Sequence, residues 1–120
     1  NSSIVVRAWD NVKSIVFLGD AGIEQGDRLL ASPYRADLDC DYLQLAHHGQ
    51  RGVSKDFYRS ICFRACLWPT PRWVYNNDIG AGFNTHVLET VEIRELTDSM
   101  GIKHHFIAFE GLARIEEGIR

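Results

Sequence analysis

No uninterrupted apolar run of about 18 residues or more occurs in this sequence, which excludes a transmembrane helix. Nor is there an excess of basic charge. Thirteen Lys and Arg stand against 16 Asp and Glu, for a net charge of -3, so no broad attraction for nucleic acid is expected beyond a local patch. Cysteine is scarce: Cys40, Cys62 and Cys66 are an odd number without framework spacing, which argues against a disulfide scaffold. Cys62 and Cys66 have no second pair nearby to complete a metal site. The three are expected to be reduced, mostly buried thiols of a cytoplasmic protein. Asn1-Ser2-Ser3-Ile4 lacks the basic and apolar regions of a signal peptide. Internal repeats and low-complexity segments are also missing.

What is present is ordinary for a globular domain: 120 residues, 45% hydrophobic and 24% charged. Ile4–Trp9 and Ser14–Leu18 are β-branched and apolar, and Asp10-Asn11 between them tolerates positive φ, so a tight hairpin is expected. The second of these strands is almost wholly apolar, as a strand buried on both faces would be. Gly19-Asp20-Ala21-Gly22 ends it, and a helix around Ile23–Ala31 follows. Pro33 opens a polar connection. Tyr42–Ala46 reads as a short strand that stops at His47-His48-Gly49.

Ser54 is a natural N-cap for a helix reaching about Ile61, with Asp56 in its first turn. Ala65–Trp68 reads as a strand halted by Pro69 and Pro71, and positions 72–83 as an irregular loop. Asn84 or Thr85 caps the longest predicted helix, to about Ser99, with Leu88, Val91, Leu96 and Met100 on one face. Gly101 ends it. His104–Phe109 reads as a strand, Glu110-Gly111 as a turn and Leu112–Glu116 as a closing strand. The order β-β-α-β-α-β-α-β-β indicates an α/β protein on one mixed sheet.

Two loops draw attention because each directly follows a buried strand. One holds Asp20 and the other His47 and His48. Ligands of open α/β sheets gather beyond the carboxyl ends of strands. Carboxylate and neutral imidazole suit zinc, manganese or iron, and a carboxylate can bridge two cations. Gly19, Gly22, Gly49 and Gly52 would let the backbone turn sharply there. On spacing alone, however, Gly-Asp is more often a turn or a helix cap, and His-His-Gly a hydrogen-bonded loop element. His104 and His105 read as alternating strand positions rather than ligands, and His86 as a helix residue. Tyr75, Asn76 and Asn77 could shape a pocket, or simply belong to a surface loop with a packed aromatic.

Ser14–Ala21, with Gly19-Asp20 after its strand, resembles the strand-Gly-Asp motif in the second half of metallo-β-lactamase-fold proteins. Asp41–Gly49, ending in His47-His48-Gly49, is similar to that fold's last metal-ligand motif. In particular it looks like the form in the hydrolase-like domain of bacterial competence DNA-uptake proteins and their free-standing relatives. The later elements follow the same order, so the resemblance spans nearly the whole chain, residues 1–120. It implies the C-terminal half of a four-layer αββα sandwich. It also implies a site of two divalent metal ions, zinc foremost with manganese or iron as alternatives. Asp20 would bridge the ions. His47 would complete the coordination of the second ion as the likelier ligand, with His48 supporting the ligands from behind or facing substrate, or taking that place itself. Such a site activates a water for phosphodiester, ester or amide hydrolysis.

The sequence departs from the family pattern in two places. Gln50 stands where a Ser or Thr usually follows His-His-Gly, and the principal His-x-His-x-Asp-His cluster does not occur. In the family that cluster lies N-terminal to the matching region. The chain is therefore expected to be half of a domain, inactive alone and needing the N-terminal half as partner. By itself it need hold no metal. Its sheet should expose an apolar patch of several hundred Å² or so and promote self-association. The alternatives are a non-catalytic module of the same fold that binds or scaffolds, and a plain α/β domain in which Asp20 and His47 do not converge.

Overall fold

A computed structural model of the chain describes residues 3–46, 52–70, 75 and 89–110. It is an α/β protein with, among the described residues, three α-helices and one five-stranded mixed sheet of order β1-β2-β3-β4-β5. The strands are β1 (Val6–Trp9), β2 (Ser14–Phe17), β3 (Tyr42–Gln44), β4 (Ala65–Trp68) and β5 (His104–Ile107). The helices are α1 (Ile23–Leu30), α2 (Lys55–Ser60) and α3 (Glu89–Ser99).

The expected hairpin forms. β1 and β2 pair antiparallel, and the Asp10 carboxylate closes the turn by accepting from the backbone N–H groups of Val12 (2.7 Å) and Lys13 (2.8 Å). Those bonds, with the Lys13 charge, hold the Asp10 carboxyl below its usual range. The remaining neighbours, β2-β3, β3-β4 and β4-β5, are all parallel. Ser54 caps α2 by accepting the Phe57 N–H at 3.1 Å. α3 stops at Gly101, where Ile102 N–H donates to the Thr97 carbonyl at 3.0 Å.

Three expectations need correction. The strand predicted for His104–Phe109 ends at Ile107 and passes into a 3₁₀ turn, Ala108–Glu110. The buried stripe of α3 runs through Thr90, Ile93, Leu96 and Thr97 with Met100 beside it, while Val91 is only half-buried. Two threonines displace the apolar series because a helical hydroxyl can satisfy itself locally: Thr97 Oγ1 donates to the Arg94 carbonyl at 3.0 Å. Cys62 is exposed rather than buried, at the end of the turn after α2. Gly111 and the strand expected at Leu112–Glu116 lie outside the described residues, as do Asn84, Thr85, His86, Leu88 and most of the expected loop.

The parallel order has a consequence for layering. Each crossover steps to the next strand in the same direction, and right-handed crossovers of that kind place all their helices on one face of the sheet. Burial agrees. The row Arg7–Val16–Leu43–Cys66–His105 faces the helices, and Val16, Leu43 and Cys66 join Phe57, Tyr58, Ile93 and Leu96 in one core. The rows Val6–Phe17–Gln44–Leu67–Phe106 and Ala8–Ile15–Tyr42–Ala65–His104 lie on the opposite face, and none of their members belongs to that core. Tyr42 and Ala65 on this face are nonetheless buried, and Ile15, Phe17, Leu67 and Phe106 are half-buried. β2 is accordingly buried on its helix side, at Val16 and Leu18, and only half-buried at Ile15 and Phe17, which corrects the expectation of burial on both faces.

Candidate metal-ligand site

The loop after β2 is pinned at both ends by fully buried apolar side chains, Leu18 and Ala21. The Ala21 N–H donates to the Leu18 carbonyl at 3.1 Å, so the chain reverses through Gly19 and Asp20. Gly19 has φ of +57° and sits directly under Ser3: a Cβ there would lie 2.4 Å from Ser3 Oγ. Both backbone N–H groups of the reversal are taken by side chains from elsewhere. Gly19 donates to Gln44 Oε1 of β3 at 3.0 Å, and Asp20 donates to Ser3 Oγ at 3.0 Å. Ser3 is held by Gln25 of α1, which accepts its N–H at 2.9 Å and donates to its carbonyl.

The Asp20 side chain is exposed and makes no hydrogen bond or ion pair with a described residue. This sets it apart from the other loop aspartates. Asp10 closes the hairpin turn, Asp39 accepts the Cys62 N–H at 2.8 Å, and Asp41 accepts the Ser14 N–H at 3.0 Å. Nor does Asp20 cap the following helix. The N-cap of α1 is Gly22, with no side-chain cap bond. The two structural tasks open to an aspartate at this position are therefore both left undone.

The second loop starts from β3. The strand ends at Gln44 rather than at the expected Ala46, and Leu45 and Ala46 follow it fully buried in the core. Leu45 N–H donates to the Leu67 carbonyl at 3.0 Å, and Ala46 N–H to the hydroxyl of fully buried Tyr58 at 3.2 Å. His47 and His48 lie outside the described residues. The chain resumes at Gly52 in direct contact with its point of departure: a Cβ on Gly52 would come within 2.6 Å of Ala46 Cβ and 2.8 Å of its carbonyl oxygen. Gly52→Ala is therefore expected to force the feet of this loop apart, at a cost of about 1–3 kcal/mol. Chemical denaturation of the variant checks this.

Parallel pairing puts the two loops at the same end of neighbouring strands. Phe17 pairs with Gln44, and Asp20 and His47 each follow their paired residue by three positions. Gln44 ties β3 to the Gly19–Asp20 turn and also lines a cavity of about 310 Å³ with Phe17, Leu67, Phe106, Ile107 and Glu110. Sequence reasoning missed Gln44 because it is one polar residue in a short strand. Its only signal was a polar side chain interrupting Tyr42–Ala46.

The remaining histidines of β5 differ in role. His104 is exposed. His105 has both ring nitrogens engaged: Trp68 Nε1–H donates to Nδ1 at 3.1 Å, which leaves Nε2–H to donate to the Ile102 carbonyl at 3.1 Å. It is a structural link between β4 and the turn after α3. Tyr75 packs edge-on against Trp68 at 5.1 Å, under the Arg94 guanidinium at 4.3 Å. It is thus a packed aromatic; Asn76 and Asn77 lie outside the described residues. Among the described residues, no three His, Cys, Asp or Glu side chains are grouped to hold a metal ion, and no helix is long and apolar enough to cross a membrane. No family profile, curated protein or solved structure matches this chain.

Proposed function

We propose that this chain is one half of a metal-dependent hydrolase of the metallo-β-lactamase type, contributing Asp20 and one of His47 and His48 as metal ligands. The observation that carries this reading is the state of Asp20. Its backbone is fixed by Gln44 and Ser3 while its carboxylate stays uncommitted at the end of a strand. A carboxylate held that way suits a divalent cation, which takes oxygen donors from a rigid scaffold. The layering adds support. A sheet with helices on one side and an apolar row on the other is what one half of an αββα sandwich needs in order to pack on a second half.

Asp20 and a single histidine fall short of the three or four protein ligands that hold zinc tightly. A second half bearing His-x-His-x-Asp-His is thus part of the proposal. When bound there, a divalent cation supplies an acidified water as nucleophile. The chain's own contribution is to place a negative charge at Asp20 and to hold that loop through Gln44 and Ser3. A phosphodiester, ester or amide substrate is consistent with such a centre.

The second reading, a binding or scaffolding module of the same fold, is favoured by Gln50 in place of the usual hydroxyl residue. Metal separates the two. Titration of the parent protein, with the second half present, with Zn²⁺ or Mn²⁺, followed by calorimetry and by broadening of the Asp20 amide resonance, is expected to show binding that Asp20→Asn weakens by more than about 100-fold, beyond the loss typical of an outer-shell partner. Equal behaviour of wild type and Asp20→Asn would sink the hydrolase reading in favour of the module. In the parent gene, an in-frame His-x-His-x-Asp-His cluster upstream of Asn1 is the matching expectation.

A further inference from the structure

We infer that Gln44 is a positioning residue that ties the Gly19–Asp20 turn to β3 and sets the presentation of Asp20. This rests on the metal reading above. β3 is only three residues long, and Gln44 is its last. One residue thus pairs with Phe17 through the backbone and with Gly19 through its side chain, at 3.0 Å. Parallel strands alone would not fix that distance. Beyond Phe17 the backbone ladder between β2 and β3 has ended, and the β2 chain turns away through a left-handed Gly19. The Gln44 carboxamide replaces the missing ladder bond and extends the coupling of the two strands by two residues, up to the edge of Asp20.

Its chemistry suits the task. The Gly19 N–H needs an acceptor, because it lies at a reversal where no backbone carbonyl reaches it. A carbonyl oxygen on a two-carbon stem accepts that bond without adding charge beside a cationic centre. Leucine fills similar space and cannot accept, whereas glutamate keeps an acceptor oxygen. From the other side, Ser3 Oγ takes the Asp20 N–H, so loss of the Gln44 bond frees one of two tethers and leaves the loop in place but looser. Such a residue acts through the backbone of its neighbours and does not touch the metal.

The test compares Gln44→Leu and Gln44→Glu with wild type, using two readouts. The first is amide hydrogen exchange at Gly19 without metal. Gln44→Leu is expected to raise it by about tenfold or more relative to Leu18 and Ala21, as an N–H released from its bond does, while Gln44→Glu retains protection. The second is Mn²⁺ titration of the parent protein, with the second half present, read from the Asp20 amide. Gln44→Leu is expected to weaken it by about 10- to 100-fold, with recovery in Gln44→Glu and little change in thermal midpoint. Unchanged Gly19 exchange in Gln44→Leu would overturn the positioning role whatever the metal does. If the exchange responds as expected while wild type shows no Mn²⁺ effect, the tether stands and the hydrolase reading is the part that fails.

Discussion

In isolation the 120-residue chain is expected to self-associate at high micromolar concentration, and Val6→Lys with Leu67→Lys is expected to restore a monomer. The reason is the row Val6–Phe17–Gln44–Leu67–Phe106, which crosses all five strands on the face opposite the described helices. Four of its five members are apolar, and Val6 is 46% exposed at the edge of the sheet. Apolar surface removed from water contributes about 25 cal/mol per Å², so a few hundred Å² shared between two copies offsets a large part of the cost of association. Ammonium groups at Val6 and Leu67 would have to be desolvated in any such contact, and both positions retain enough exposure to let a lysine reach water in the monomer. Sedimentation velocity across a concentration series checks this. A wild-type chain that stays monomeric and unfolds cooperatively would show that this face needs no second layer, which counts against the half-sandwich.

Stability is expected to fall steeply as pH rises from about 9 to about 12. Burial pushes the thiols of Cys66 and Cys40 from 9.0 up to about 12 and raises the phenol of Tyr58 as well. The nearby Asp98 adds to the effect at Cys66, and Asp41 adds to it at Cys40, where a backbone bond from Val16 works the other way. In each case the folded chain holds a proton that the unfolded chain gives up. Below the unfolded value both states are protonated and the contribution to stability is complete. Above it the unfolded state is favoured more with each step in pH, until the folded-state value is passed. A tenfold difference in proton affinity is worth about 1.4 kcal/mol, so Cys66, fully buried in the core, sets a scale of a few kcal/mol. Denaturant midpoints at about pH 8 and about pH 11 should differ accordingly. Cys66→Ala should flatten the slope while lowering stability at neutral pH through the small cavity it leaves. A midpoint indifferent to alkali would mean these groups reach solvent in the folded state.

Local patterning carried most of the elements. The β-branched runs around Asp10-Asn11 specified a hairpin because turn chemistry and alternation agree there. Ser54 specified a helix start because its hydroxyl can satisfy the Phe57 N–H three residues on. Where two solutions compete, local sequence was less decisive. In α3, apolar residues suggested one stripe and packing chose another, because threonine can bury its hydroxyl against its own helix. In β5, alternation did not reveal that pairing with β4 stops at Ile107.

Asp20 shows the same division at the site. Its position after a buried strand made it a candidate, but whether its carboxylate closes a turn or caps a helix depends on where Gly22, Ser3 and Gln44 lie in space. Ser3 is 17 residues from Asp20, and Gln44 is 25 from Gly19. No local window contains both partners. By itself the sequence determined the α/β class, the hairpin, the three helices and the two loops worth inspecting, all of which follow from short-range periodicity and turn preference. Only the tertiary structure decided that the helices share one face, that a largely apolar row crosses the other, and that Asp20 has no side-chain partner among the described residues. Those outcomes follow from strand order and long-range hydrogen bonds, which arise when distant segments pack together.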